Sequence, residues 1–110
     1  MILAIETSCD ETAAAVVTAD GELRSSIVAS QAELHAVYGG VVPEVASRRH
    51  LELVAPVVRE ALTVAGASLD DLTKVAVTQG PGLVGALLVG ISAAKAIDAV
   101  MDVNHYVGNL

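Results

Sequence analysis

Residues 77–96 (VTQGPGLVGALLVGISAAKA) constrain the fold more than any other stretch, because they join a strand-like end to a glycine-rich apolar run. Residues 74–78 predict a strand, and the residues from Leu83 onward predict a helix. Gly80, Pro81 and Gly82, which we call the proline corner, form the turn between them. N–H groups at a helix N-terminus favour an anion, and glycine lets a ligand approach the backbone closely. The corner therefore favours a nearby ligand over helix-on-sheet packing alone.

A second feature of this helix is a stripe of small residues. Gly82, Ala86, Gly90 and Ala94 recur every four residues and so share one helix face. Small side chains let another backbone pack closely against that face. Two interpretations remain open, namely packing of the helix on the sheet of its own chain and contact with another subunit.

The first thirty residues predict three short antiparallel strands, at residues 1–6, 13–17 and 23–30. Asp20 and Gly21 supply the hairpin turn between the second and third strands, because such a turn needs positive φ angles. Together with the strand and helix of residues 74–96, they predict a three-stranded meander followed by helix, strand and helix. The expected class is α/β with a mixed sheet, in one domain over residues 1–110.

The longest predicted helix begins at Pro43 and keeps an apolar helical period until Gly66. Pro56 is expected to kink or split it, since proline lacks an N–H and crowds the preceding turn. Residues 31–42 are expected to form a loop, and residues 68–71 a capped turn. A last strand is expected to begin at residues 103–106.

Residues 7–12 (TSCDET) form a polar segment between the first two strands. Its hydroxyls and turn amides can hold a phosphate, and Asp10 or Glu11 can bind Mg²⁺ directly or through water. A solvated turn capped by its own Thr and Ser side chains is the more frequent outcome for the same residue types. Cys9 is expected to be a partly buried filler rather than a nucleophile, because its neighbours in sequence are acidic.

His35 and His50 flank a Gly-Gly loop, where either could line a cleft. A surface histidine or one satisfied by hydrogen bonds is the more frequent outcome for such isolated residues. Neither supplies the three or four ligands that a stable transition-metal site needs.

Composition excludes several classes of function. Thirteen acidic and six basic residues give a net charge of −7, which argues against binding of DNA or RNA by this chain alone. One cysteine excludes an internal disulfide, and without a basic leader a reducing cytoplasm is expected. The most apolar run, residues 82–94, is shorter than the ~20 residues that span a bilayer, so no membrane location is expected.

Three stretches carry a resemblance to a known family: IETSCDETAAAVV, SQAELHAVYGGVVPEVASRRHLE and VTQGPGLVGALLVGISAAKA. In this order they resemble the N-terminal lobe of the TsaD/Gcp family, over residues 1 to 96. The family transfers the threonylcarbamoyl group of threonylcarbamoyl-adenylate to the exocyclic amine of a tRNA adenosine. The resemblance implies a ribonuclease-H-like lobe of the actin, Hsp70 and sugar-kinase type, with nucleotide held between two lobes.

The same resemblance assigns residues to that nucleotide site. It implies that the phosphates lie near Thr7, Ser8, Asp10, Glu11 and Thr12. The proline corner is implied to lie beside the cleft. No catalytic residue is assigned, and the peptidase activity of an older family label is not indicated by these residues.

Cofactors of the family are ATP with Mg²⁺ and an iron or zinc ion held by an H-x-x-x-H pair. His105 matches the first histidine of this pair, but Asn109 stands where the second belongs, and an amide oxygen is a poor substitute for imidazole. The family's adenine, ribose and remaining metal contacts match nothing in residues 1–110. We therefore expect one truncated lobe that binds none of these cofactors stably.

Two functions of different classes are compatible with the sequence. The first is the N-terminal lobe of a tRNA N6-adenosine threonylcarbamoyltransferase, inactive alone because reacting groups must converge from both lobes, and meeting tRNA only in the complete enzyme complex. The alternative is a non-catalytic module similar to TsaB, which pairs with TsaD through N-lobe helices, acting as a homodimer or by capture of a partner lobe. A generic ATPase or sugar-kinase lobe leaves YGGVVPEVASRRH unexplained.

Overall fold

The first three strands form the predicted antiparallel meander. In the computed structural model, which describes residues 1–101 and 105–108, β1 (Ile2–Glu6) pairs with β2 (Glu11–Val17), and β2 pairs with β3 (Leu23–Ser30). Both strands are apolar along nearly their whole length, and burial alternates along them, so that every second residue of β1 and β2 is buried on one face. The meander therefore has one core face and one more open face.

The hairpin between β2 and β3 is built as the Asp-Gly pair predicts. Gly21 has a φ of 92°, in the left-handed region that glycine adopts readily. The Thr18 hydroxyl donates to the Asp20 carboxylate at 2.5 Å, and this hydrogen bond lowers the pKa of Asp20 below its ordinary value. Interactions between residues that are close in the sequence are therefore sufficient to specify this turn.

Two parallel strands extend the sheet on the other side of β1. Strand β4 (Lys74–Val77) pairs with β1 and β5 (His105–Gly108) pairs with β4, which gives the order β3-β2-β1-β4-β5. Helix α2 (Pro43–Ala65) precedes β4, and helix α3 (Val84–Met101) joins β4 to β5. The predicted meander followed by helix, strand and helix is confirmed.

Helix α2 begins and ends at the expected residues. Pro43 occupies its first turn, and Gly66 ends it with a φ of 68° and an N–H that bonds the Leu62 and Thr63 carbonyls. Helix α2 continues through Pro56, so a split at this residue is wrong, whereas a kink there stays a prediction. Pro56 lies on an exposed face, where water can satisfy the carbonyl that loses its helical partner.

Two short helices lie at the ends of α2. Helix α1 (Ala32–Ala36) occupies part of the segment expected to be a loop, and its five residues are too few to show a periodic pattern. After α2, the predicted capped turn is a 3₁₀ turn (Leu69–Asp71). There the Ser68 N–H donates to the Asp71 carboxylate at 2.8 Å.

The core lies between one face of the sheet and the two long helices, α2 and α3. Its members are aliphatic and buried: Leu3, Ile5, Ala14, Val16, Val57, Val58, Ala61, Leu62, Leu72, Val75, Val77 and Ala94. Small and β-branched side chains suit this layer, because they let helices approach the sheet closely. Within the described residues, none of the helices has the length and apolar character needed to cross a membrane.

The stripe of small residues on α3 faces the sheet of its own chain. Ala86 and Ala94 have no exposed surface, and Gly90 is buried. A Cβ on Gly90 would lie 2.6 Å from the Thr7 Oγ1 and 3.3 Å from the Val77 Cγ2. The alternative of a contact with another subunit is therefore corrected for these three residues, because they have no surface left to offer a partner.

Candidate functional site

The turn between β1 and β2 and the proline corner lie in contact. The β1–β2 turn comprises residues 7–10, and the Leu83 N–H, just after the corner, donates to the Ser8 carbonyl at 2.8 Å. A Cβ on Gly82 would lie 2.7 Å from the same oxygen, so glycine is required for this approach. Because β1 and β4 are parallel neighbours, their carboxyl ends meet at one edge of the sheet. The two polar segments therefore form one site.

Thr7 connects this site to the first two turns of α3. Its buried hydroxyl donates to the Ala86 carbonyl at 2.7 Å and accepts from the Gly90 N–H at 3.0 Å. In a regular helix those two backbone groups pair with each other, four residues apart. The hydroxyl thus takes part in the hydrogen bonding of the helix, and Gly90 leaves room for it.

Two further contacts hold the carbonyls of the β1–β2 turn. The His50 Nε2 donates to the Cys9 carbonyl at 2.9 Å, and the Gln31 N–H donates to the Asp10 carbonyl at 2.8 Å. With the bond from Leu83, three consecutive carbonyls are anchored to three different parts of the chain. The turn is consequently fixed by the fold and is not a freely solvated loop.

The charges of the site are acidic. Asp10 is half-buried and Glu11 is exposed, and the Glu6 carboxylate accepts from the Ser8 N–H at 2.6 Å. The two arginines in the N-terminal half of α2 pair elsewhere, with Arg48 contacting Glu44 and Arg49 contacting Glu52. A phosphate at this edge would therefore need a cation between it and the carboxylates.

Both histidines that flank the Gly-Gly loop are buried and hydrogen-bonded, as is most frequent. The Gln31 side chain accepts from His35 Nε2 at 2.7 Å, and the His35 Nδ1 accepts from the Val42 N–H at 3.2 Å. His50 contacts Thr12 and the Cys9 carbonyl. Cys9 itself is exposed, so the expectation of a partly buried filler is wrong.

The predicted iron or zinc ligands cannot be assembled from the described residues. His105 begins β5, where its backbone pairs with Lys74, and Asn109 lies outside the described residues. Across residues 1–101 and 105–108, no group of three His, Cys, Asp or Glu side chains could hold an ion. We derive no chemical step through iron or zinc.

The sequence indicates the two halves of the site and singles out His50 as a possible cleft residue, but it does not show which contacts fix the β1–β2 turn. Gln31, His50 and Leu83 act at the β1–β2 turn from distant positions in the chain, and every group in these three bonds except the His50 ring belongs to the backbone. Almost every residue type has the same backbone N–H and C=O groups, so the amino-acid sequence does not reveal which of them form these bonds. His50 is the exception, because it flanks the Gly-Gly loop and interrupts an otherwise apolar face of α2.

Comparison with known proteins agrees with this architecture. The model of the TsaD family, described as tRNA N6-adenosine threonylcarbamoyltransferase, matches residues 22–107. Relatives of that name in Symbiobacterium thermophilum and Shouchella clausii are 59% and 60% identical, over 100% and 99% of this chain. The chain spans 34% of the length of each relative.

Two solved structures share the fold at low sequence identity. YeaZ from Pseudomonas aeruginosa superposes with a TM-score of 0.70 at 19% identity, covering 97% of this chain and 41% of that one. A second structure, of an uncharacterized protein with similarity to peptidase YeaZ from Pseudomonas aeruginosa, gives 0.73 at 21% identity over the same shares. The fold is ribonuclease-H-like, as the sequence predicted. By its family match and its relatives, this chain belongs to the TsaD family of tRNA N6-adenosine threonylcarbamoyltransferases.

Proposed function

We propose that this chain supplies the N-terminal lobe of a tRNA N6-adenosine threonylcarbamoyltransferase, and that its sheet edge faces the phosphates of the bound nucleotide. The observation that carries the proposal is the contact between the β1–β2 turn and the proline corner, where the Leu83 N–H reaches the Ser8 carbonyl at 2.8 Å. Those are the two segments that the family resemblance assigns to the cleft. Relatives at 59–60% identity carry this activity in their names.

The residues of the edge have separate roles in this proposal. Ser8 and the amides of the β1–β2 turn contact phosphate oxygens, while Thr7 and Thr12 hold the turn through buried hydrogen bonds. Asp10 and Glu11 are hard oxygen donors, which fit Mg²⁺ shared with a phosphate, since Mg²⁺ is usually held by one or two carboxylates plus substrate. Bound Mg²⁺ would neutralise phosphate charge beside these carboxylates.

One lobe is not sufficient for the transfer reaction. Acyl transfer to an adenosine amine requires the adenylate, the tRNA base and the stabilising donors to converge from both walls of a cleft. This chain contributes one wall, and a net charge of −7 gives tRNA no attractive surface on it. We therefore propose activity, tRNA binding and a cytoplasmic location for the complete enzyme only.

A chimeric enzyme tests this function. Residues 1–96 would replace the matching segment of the Shouchella clausii relative, and transfer of the threonylcarbamoyl group to tRNA would be measured with purified partner proteins. We expect a rate within about tenfold of the unmodified relative, because the chain and this relative are 60% identical. A tenfold change corresponds to ~1.4 kcal/mol of transition-state stabilisation. A chimera that folds but transfers nothing would refute the proposal, and the unmodified relative serves as the control.

A second function, docking of a partner lobe, is favoured by one specific observation. A groove of about 290 Å³ lies between α2 and α3, and its lining is apolar: Val54, Ala55, Val58, Arg59 through its carbon chain, Leu62, Leu69, Ala93, Ala96 and Ile97. Large aliphatic side chains elsewhere on the same two helices are also exposed, including Leu51 at 65%, Val84 at 74% and Leu88 at 55%. Apolar surface of this kind is typical of an interface.

Leu88→Glu is predicted to abolish association through this surface without loss of the fold. Leu88 is more than half exposed, so the charge remains hydrated in the free chain but would be buried in a complex. We expect a dimeric wild-type chain and a monomeric variant in sedimentation experiments at the same concentration. A wild type that stays monomeric, alone and with a TsaB-like partner, would contradict this second function.

A further inference from the structure

We propose that His50 is a positioning residue that aims two backbone amides of the β1–β2 turn at the nucleotide phosphates. The inference rests on the proposed function of this edge and adds a role for a side chain outside it. His50 lies on α2, has no exposed surface, and contacts the turn through both ring nitrogens. Its two hydrogen bonds bridge both ends of the segment from Cys9 to Thr12.

The hydrogen bonds of the ring define its orientation. The Cys9 carbonyl can only accept, so Nε2 carries a proton and donates to it at 2.9 Å. In the neutral ring Nδ1 accepts from the Thr12 hydroxyl, 2.7 Å away. Thr12 is also fully buried, which prevents water from competing for its hydrogen bond to the ring. The ring is therefore locked between a carbonyl and a hydroxyl.

Fixing a carbonyl also fixes the next N–H. In a trans peptide the C=O and N–H point in opposite directions, so a Cys9 carbonyl held toward His50 turns the Asp10 N–H away from α2. The Ser8 carbonyl, held by Leu83, orients the Cys9 N–H in the same manner. Neither of these two N–H groups donates a hydrogen bond to any residue that the structure describes.

Successive free amides of a turn form a concave site for anions. Without His50 the peptide between Cys9 and Asp10 could rotate, which would present a carbonyl oxygen to the phosphate in place of an N–H. The carbonyl oxygen would repel the phosphate, whereas the N–H group attracts it. His50 thus selects the binding orientation of the peptide, although it does not itself reach the turn surface.

The test is a titration of the ¹⁵N-labelled chain with inorganic pyrophosphate in the presence of Mg²⁺, followed at the Cys9 and Asp10 amides by NMR. Pyrophosphate probes the phosphate contacts without requiring adenine or ribose contacts. We expect wild-type binding with a Kd on the order of 1 mM, as for a half-formed site. His50→Leu should weaken it about tenfold, because one anchoring hydrogen bond is replaced by an unpaired carbonyl.

Matched variants separate positioning from simple loss of stability. Val57→Ala creates a cavity in the same helix, seven residues from His50, and should lower stability while leaving the Kd unchanged. His50→Gln keeps an N–H donor near the Nε2 position and should stay within about threefold of wild type. Thr12→Val replaces the hydroxyl that orients the ring by a methyl group. If His50→Leu does not fold, the Kd of this variant tests the positioning role of His50 in its place.

Each outcome bears on the proposal. Equal Kd values for wild type and His50→Leu, or for wild type and Thr12→Val when His50→Leu is unfolded, would overturn the role of His50 and leave the phosphate site standing. Equal weakening by Val57→Ala would also overturn it, since a purely structural effect would then suffice. A wild-type chain whose turn amides do not respond would overturn the phosphate site and, with it, the inference.

Discussion

Gly90→Ala is expected to lower the free energy of unfolding by about 2 kcal/mol, although alanine is the better helix former by ~1 kcal/mol. The new Cβ would lie 2.6 Å from the Thr7 Oγ1 and 3.3 Å from the Val77 Cγ2. Thr7 cannot move without losing its bonds to the Ala86 carbonyl and the Gly90 N–H. The shift of the urea midpoint, at constant slope, measures this loss.

A double-mutant cycle that combines Gly90→Ala with Thr7→Ala gives the mechanism of that loss. Removing the threonine hydroxyl makes room for the Cβ added at position 90, and the N–H of that residue can then pair with the Ala86 carbonyl directly. We expect the double variant to be more stable than additivity predicts by at least ~1 kcal/mol. Additive losses, or a Gly90→Ala variant as stable as wild type, would show that the hydroxyl does not occupy the helix turn.

Gly82→Ala is expected to reduce threonylcarbamoyl transfer by the chimeric enzyme on the order of 100-fold, because a displacement of about 1 Å at a reacting site has effects of that size. The added Cβ would lie 2.7 Å from the Ser8 carbonyl oxygen and 2.8 Å from the Ser8 Cβ. Backbone must therefore move at either the β1–β2 turn or the proline corner. Transfer rates at saturating tRNA measure the effect.

Gly40→Ala is the matched control for this prediction. A Cβ at Gly40 meets nothing within 4 Å, and the residue lies in an exposed loop. We expect the control to keep the parent chimera's rate, so that any loss in Gly82→Ala reflects the crowded position rather than a generic glycine substitution. Rates that are equal for Gly82→Ala and Gly40→Ala would mean that the corner and the turn need not touch for function.

The elements of the fold were predictable because their signals are local. Short apolar runs specify β1 and β2, Gly21 specifies the hairpin, and Pro43 and Gly66 mark the ends of α2. Each of these signals acts over a few residues. Helix α1 escaped prediction because a helix of five residues is held by its surroundings rather than by its own pattern.

The internal geometry of the site was not predictable, because its contacts join residues far apart in the chain. Thr7 meets Ala86 across 79 positions, and His50 meets Cys9 across 41. In both cases one partner is a backbone group, which every residue type supplies. The spacing of Gly90 in the small-residue stripe indicated a close approach, but only the structure shows that the approaching atom is the Thr7 hydroxyl.

An NMR titration of this chain with ATP and Mg²⁺ tests whether the sheet edge formed by the β1–β2 turn and the proline corner binds phosphate. We expect amide shifts concentrated at Ser8, Cys9, Asp10 and Leu83, at the carboxyl ends of β1 and β4. Shifts confined to the groove between α2 and α3, or no shifts at millimolar ATP, would contradict a phosphate-binding edge built from the turn and the proline corner.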